Sequence, residues 1–262
     1  MVDWDRMTRI AINGMCAIAC SWLGAGMAFA QAPVPVYTTQ IYGRVNTDSV
    51  PGSGDINLGK NAMAVDGAGN VYVTGSTFNG LNNDFLTVKY NAGGVIQWRA
   101  LANGAANGDD FAYGIAVDSI GNVVVTGSSQ FDGKSDYLTV KYNSSGVEQW
   151  RATLDGDANR DDEAYAIAVD AAGNVLVTGA SVAYGNNYDY VTVKYSAAGN
   201  ELWRIPMEGT GNSIDRSVAI CVDANGNTIV TGYSLNLLNF DYVTVKYNPA
   251  GQIGRASCRE RV

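Results

Sequence analysis

The chain reads as an all-β protein, a β-propeller of four-stranded antiparallel blades, with about four blades present in what the sequence suggests is a truncated fragment. Three observations predict this. A Val-Asp-x-x-Gly-Asn element recurs at Val65, Val117, Val169 and Val222, in steps of 52, 52 and 53 residues. Each unit holds four short runs rich in valine, threonine and aromatic residues, separated by clusters of glycine, asparagine and aspartate, the pattern of strands joined by turns. Finally, 31 glycines against 5 prolines favour many tight turns over long helices.

Each unit runs through the same elements in order. After the Val-Asp turn comes a Val-Thr-Gly, ending at Gly75, Gly127, Gly179 and Gly232. An Asp-aromatic pair follows at Asp84-Phe85, Asp136-Tyr137, Asp189-Tyr190 and Asp241-Tyr242. Thr-Val-Lys-Tyr comes next, with its lysine at Lys89, Lys141, Lys194 and Lys246. Three units close with Gly-x-x-x-Trp-Arg, at Trp98-Arg99, Trp150-Arg151 and Trp203-Arg204. In the first unit, strands are expected near 62–66, 71–75, 85–90 and 95–101; blades are expected at about 60–102, 112–154, 164–207 and 217–252. A β-helix would need shorter rungs, and an immunoglobulin-like array about seven strands per domain.

These recurring motifs resemble the SBBP-type β-propeller repeat family of secreted bacterial proteins, whose units carry an apolar-Ala-Val-Asp, Gly-Asn, Val-Thr-Gly pattern. The resemblance covers roughly residues 60 to 252. It implies a fold and no reaction.

The two ends depart from the repeat. Residues 1–30 read as an export signal, with Arg6 and Arg9 ahead of an apolar stretch from Ile10 to Ala30 that closes on Ala28-Phe29-Ala30. Residues 31–59 read as a closing strand and linker, with Val36 to Arg44 supplying a strand to the last blade so that its edge is covered. The last ten residues, 253–262, break the pattern, since Arg255 stands where tryptophan is expected; they resemble translated sequencing-adapter read-through and are expected to be non-native.

Composition narrows the function classes. The leader is neutral and the tail carries net +2, so a formal charge of −8 for the whole chain becomes −10 for residues 31–252. That balance opposes binding to nucleic acid or to anionic membranes. No transmembrane segment is expected in the mature chain, which places it in the secreted, periplasmic or cell-surface class. Cys221 is the one cysteine outside leader and tail, so no disulfide framework is expected. It takes the column of Ala64, Ala116 and Ala168 and is expected to be a small buried hydrophobe. The absence of histidine excludes Ser-His or Cys-His catalysis.

Repetition in every unit assigns the Asp-x-x-Gly-Asn acids to turn chemistry, the lysines to pairing with acids of neighbouring strands, and the tryptophans to packing between sheets. The segment Asp155-Gly156-Asp157-Ala158-Asn159-Arg160-Asp161-Asp162-Glu163 alternates oxygen side chains as calcium loops do, leaving open a calcium site at Asp155, Asp157, Asn159 and Asp161. Arg160 stands where such a loop wants glycine, so an acidic surface loop is the competing reading. No other cofactor is expected. A further acid recurs before three of the four inner strands, at Asp110, Asp162 and Asp215, with Leu58 breaking the column, either as an acidic ring or as caps on strand entry.

The sequence points first to a noncatalytic scaffold binding an extracellular protein or carbohydrate. The binding face would combine the second-to-third strand loops with the blade-to-blade connections. The longest such loop places Tyr184, Asn186, Asn187 and Tyr188 as candidate contacts. The alternatives are a propeller enzyme of glycoside hydrolase or lyase type using acids at the mouth, or a module that positions a catalytic domain.

Overall fold

The computed structural model describes residues 62–156, 160–182, 187–207, 214–235 and 240–254, all within the unit Thr39–Val262. The expectations for the leader, the closing strand, Tyr184, Asn186, Asp157, Asn159 and residues 255–262 lie outside the described residues.

Sixteen strands form four four-stranded antiparallel sheets, and the described residues contain no helix. The first blade comprises β1 (Met63–Val65), β2 (Val71–Phe78), β3 (Asn83–Tyr90) and β4 (Ile96–Ala102). The second comprises β5 (Asp110–Val117), β6 (Val123–Phe131), β7 (Lys134–Tyr142) and β8 (Glu148–Leu154). The third comprises β9 (Asp162–Val169), β10 (Val175–Val182), β11 (Tyr188–Tyr195) and β12 (Glu201–Met207). The fourth comprises β13 (Asp215–Val222), β14 (Thr228–Leu235), β15 (Phe240–Tyr247) and β16 (Ile253–Gly254). In each sheet the strands lie in chain order, and the first strands β5, β9 and β13 pack against their counterparts in the neighbouring blades. The protein is a β-propeller in blade architecture. Ile253 and Gly254, the first residues of the expected tail, pair with Tyr247 and Lys246.

The motifs now have physical causes. In every Val-Asp-x-x-Gly-Asn turn the aspartate binds the turn's own amides: Asp66 Oδ1 accepts from the Ala68 and Asn70 N–H groups, both at 2.9 Å, and its Oδ2 accepts from Asn70 Nδ2 at 2.7 Å. Asp118, Asp170 and Asp223 repeat the arrangement. The threonines of Val-Thr-Gly and Thr-Val-Lys-Tyr meet across strands two and three, with Oγ1 separations of 3.1, 2.9, 2.9 and 2.8 Å through the four blades.

The glycine of Val-Thr-Gly serves a β-bulge. In blades two to four the first strand carries one unpaired residue, Tyr113, Tyr165 or Val218, opposite the Thr-Gly step. The bulge presses the first strand's backbone onto the glycine: a Cβ on Gly179 would stand 1.9 Å from the Glu163 carbonyl oxygen.

Side chains on facing surfaces of successive sheets form the core, which lies between blades rather than within them. Tyr72 and Phe85 of the first blade meet Val123, Val125 and Tyr142 of the second; Val124 and Tyr137 of the second meet Val175, Val177 and Tyr195 of the third. Tyr190 of the third meets Val230, Val245 and Tyr247 of the fourth. Each tryptophan crosses the same gap, its Nε1–H donating to Ser144, Ala197 or Pro249 carbonyl oxygen in the following blade. Three of the four lysines in the column pair with acids, Lys141 with Asp118 at 3.7 Å, Lys194 with Asp170 at 2.9 Å and Lys246 with Asp223 at 2.8 Å, while Lys89 lies over the Tyr72 ring and donates to the Ser144 carbonyl at 3.3 Å.

Cys221 departs from expectation. It is exposed on the fourth blade, while Ala64, Ala116 and Ala168 in its column are half-buried. The outward surface of the fourth sheet is more open than its equivalents, and the thiol shares that exposure. Partial burial, then the charge of Asp223, push its pKa above the usual thiol value, which disfavours the nucleophilic thiolate.

Candidate functional site

Antiparallel order puts the Asp-x-x-Gly-Asn turns and the third-to-fourth strand turns at one end of each blade. The second-to-third loops and the blade-to-blade connections lie at the other. The first end is built from repeating residues. A cleft of about 550 Å³ at this end is lined by Asp118, Lys141 and Trp150 with the Ala171–Gly173 turn, all members of the repeating scaffold. The second end is where the blades differ.

There the bulges matter. Along the first strands, the position two before the bulge reads Phe111, Glu163, Arg216 and does not repeat, while the bulged position reads Tyr113, Tyr165, Val218, keeping tyrosine in two of the three blades. The Tyr165 hydroxyl donates to the Glu163 carboxylate and accepts from Arg216 Nη1 at 3.3 Å. The Arg216 guanidinium lies 4.2 Å from the centre of the Tyr188 ring, a cation–π contact. Tyr113 and Tyr165 rings are 6.1 Å apart, and Ser128 and Tyr113 hydroxyls are 3.3 Å apart. All of these side chains except Ser128 are half-buried, so each keeps a face toward solvent. Arg216 Nε is buried without an acceptor, a guanidinium N–H left unused by the protein. Burial holds the phenols of Tyr113, Tyr165 and Tyr188 above the ordinary tyrosine pKa, so they stay protonated donors.

Of the loop residues picked out in the sequence, Tyr188 belongs to this cluster, and Asn187 adjoins it. Asp110, Asp162 and Asp215 are fully buried at the starts of β5, β9 and β13. Asp110 Oδ2 accepts the Gly104 amide at 2.6 Å, and Asp162 Oδ2 accepts the Gly156 amide at 2.5 Å, so each folds down the connection that precedes its own strand. Among the described residues the three do not gather into a common acidic group.

Asp161 accepts the Ser135 amide of the preceding blade at 3.1 Å, as Asp109 accepts that of Asn83 at 2.8 Å, and both tie one blade to the next. Asp155 instead gathers with Asp136 and Asp162, their carboxylate oxygens lying within 4.8 Å of one another. Burial, then the charges of Asp155 and Asp162, push the Asp136 carboxyl up to about 6. The sequence reading missed Asp136, Tyr113, Tyr165 and Arg216. For Arg216, a signal was present in the first-strand column Phe111, Glu163, Arg216, which fails to repeat beside columns that do.

No curated protein matches this chain. A protein of unknown function from Bacteroides caccae superposes with a TM-score of 0.48 at 14% identity, covering 79% of this chain and 62% of that one. A PL25 ulvan lyase, solved with a bound GlcA-Rha3S saccharide, gives 0.48 at 12% identity over 77% of this chain and 56% of that one. A gluconolactonase of Xanthomonas campestris gives 0.39 at 15% identity over 65% and 52%. This chain thus spans about six-tenths or less of the length of these structures, and the likeness carries nothing about activity. A family model described as a beta-propeller repeat, SBBP, matches residues 97–134, from the end of the first blade into the second. Residues 97–134 therefore match the SBBP beta-propeller repeat, the family that the recurring motifs resemble.

Proposed function

We propose that this protein is a secreted, noncatalytic binding scaffold that takes a carbohydrate on the face formed by the second-to-third strand loops and the blade-to-blade connections. The cluster of Tyr188, Arg216, Tyr165 and Glu163 carries the reading. It interrupts the repeat at the one end of the molecule where blades differ, whereas repeating residues elsewhere are consumed by turns and blade packing. Half-buried phenol rings suit stacking on the apolar faces of sugars, and the Glu163 carboxylate and phenol hydroxyls suit sugar hydroxyls. The unused Arg216 N–H favours a ligand bearing a carboxylate or sulfate. The leader-like residues 1–30 support export.

Isothermal titration of the full chain against neutral and acidic oligosaccharides tests this. Binding of an acidic member, weakened at least tenfold by Arg216→Ala and by Tyr188→Ala, is the expected result. Failure of every oligosaccharide to bind, or unchanged affinity in both variants, overturns it. The gathering of Asp136, Asp155 and Asp162 favours a second reading, a hydrolase or lyase working with carboxylates. Release of new reducing ends or unsaturated products from a bound oligosaccharide would move the protein to that class.

A further inference from the structure

We infer that the junction between successive blades is a divalent-cation site, of calcium chemistry, formed in one place by Asp136, Asp155 and Asp162 and in its repeat equivalent by Asp84, Asn103 and Asp110. This does not rest on the carbohydrate reading.

At the junction of blades two and three, Asp136 comes from the start of β7, Asp155 follows the end of β8, and Asp162 opens β9. Pairing of Tyr137 with Leu154 sets Asp136 and Asp155 opposite each other at the sheet's end, and the next blade brings Asp162 to them. One oxygen of each lies within 4.8 Å of the others, a spacing that spans a calcium ion with ligands at about 2.3–2.6 Å. Asp162 is held by the Gly156 and Val182 amides and by the Ser181 hydroxyl, whereas the carboxylates of Asp136 and Asp155 accept no hydrogen bond among the described residues. Lys134 is the one cation whose charge is felt at Asp136, so three neighbouring acids keep a surplus of negative charge that a divalent cation between them would offset.

A second observation comes from the junction one blade earlier. Asp84, Asn103 and Asp110 stand at the equivalent positions, and there Oδ1 of all three is buried without a hydrogen-bond partner. Asp84 is 6% exposed and Asp110 0%, and the charge of Asp84 is felt at Asp110. Their other oxygens are used, Asp84 Oδ2 by Asn79 and Asp110 Oδ2 by the Gly104 amide, with the Ser129 hydroxyl also bonding the Asp110 carboxyl, and Oδ1 of each is left without a partner. Asn103 donates its Nδ2 to Asn107 and keeps its carbonyl oxygen. Three orphaned oxygens on three repeat-equivalent residues are a costly arrangement unless a cation satisfies them. The glycine after the middle residue lets the connection lie against this buried polar group, since a Cβ on Gly104 or Gly156 would stand 1.9 or 2.3 Å from the Ser129 or Ser181 hydroxyl and 2.9 Å from Asp110 or Asp162 oxygens. An all-oxygen donor set of carboxylates and an amide carbonyl, completed by water, selects a hard cation, and its loose spacing suits calcium better than magnesium.

The test is titration of the chelator-stripped full chain with calcium chloride at physiological ionic strength, followed by calorimetry and by the thermal midpoint. Wild-type protein is expected to bind calcium and to gain thermal stability on binding. Asp155→Asn, at an exposed position whose side chain accepts no hydrogen bond among the described residues, is expected to bind one fewer ion at unchanged circular dichroism. Asp84→Asn is expected to weaken the other site. Asp161→Asn, which removes the acid bonded to Ser135, is expected to keep the wild-type stoichiometry. No calcium uptake by wild-type protein, wild-type stoichiometry in Asp155→Asn, or equal loss in Asp161→Asn would overturn the assignment.

Discussion

The indole of Trp150 in the second blade lies against Gly199 in the third. An added Cβ at Gly199 would stand 2.8 Å from the ring carbons, and the backbone there has φ of +88°. Trp98 on Gly146 and Trp203 on Gly251 repeat the contact, so each blade is keyed to the next by one ring and one missing side chain. Gly199→Ala adds a left-handed penalty for an L-residue to a steric overlap with a ring already tied to the Ala197 carbonyl. A loss of about 2–3 kcal/mol is expected, read from the denaturant midpoint.

The lysine column predicts unequal costs for one substitution. Lys194 and Asp170 side chains are 5% and 8% exposed, while Lys246 and Asp223 are 48% and 26% exposed. Lys194→Met strands a buried carboxylate, and a loss of about 3 kcal/mol is expected. At Lys246→Met, water replaces the partner, and the loss should be much the smaller of the two. Urea unfolding of the two variants side by side checks the ratio.

Burial position within the blade series makes a parallel prediction for the Asp-aromatic pair. Tyr190 is fully buried against the fourth blade, with Val230 and Val245 around it, whereas Tyr242 in the same column is 68% exposed. Tyr190→Ala opens a cavity and should cost about 3–5 kcal/mol; Tyr242→Ala should change the midpoint by less than about 0.5 kcal/mol.

Acid should loosen the blade turns. At Asp66 burial acts to raise the carboxyl pKa, but hydrogen bonds from Asn70, Tyr72 and Ala68 outweigh it and hold the group at about 2, below its usual 3.8. Asp170 and Asp223 are shifted in the same direction. A folded-state value below the unfolded one means that the stabilisation is complete above the unfolded value and disappears as pH falls toward the folded one. Stability is therefore expected to drop between about pH 4 and pH 2. Asp66→Asn should flatten that drop, as followed by urea midpoints across the range.

Local chemistry was legible in the sequence because it is written in contiguous residues. The Asp66 turn closes on amides two and four residues away, so the Asp-x-x-Gly-Asn string alone identifies it. The strand alternation and the roles of the lysine and tryptophan columns followed from their recurrence in register. The candidate site was not legible in the same way. Arg216 and Tyr165 are 51 residues apart, and they meet only because a bulge in each first strand re-aims one residue. Likewise Asp161 and Asp162 look alike in the string, yet one bonds the preceding blade's backbone and the other is buried under its own connection. A loop read as a linear calcium motif cannot reveal Asp136, which arrives from a different strand.

The amino-acid order alone determined the period, the four-strand unit, the turns and the face on which blades differ, since each depends on hydrogen bonds and side-chain alternation within a few residues. Only the tertiary structure decided which side chains from separate blades share a site, as Arg216 with Tyr188 or Asp136 with Asp162. Those meetings depend on how far one sheet is displaced against the next, and that is set by the interlocking of whole packed surfaces rather than by any single motif.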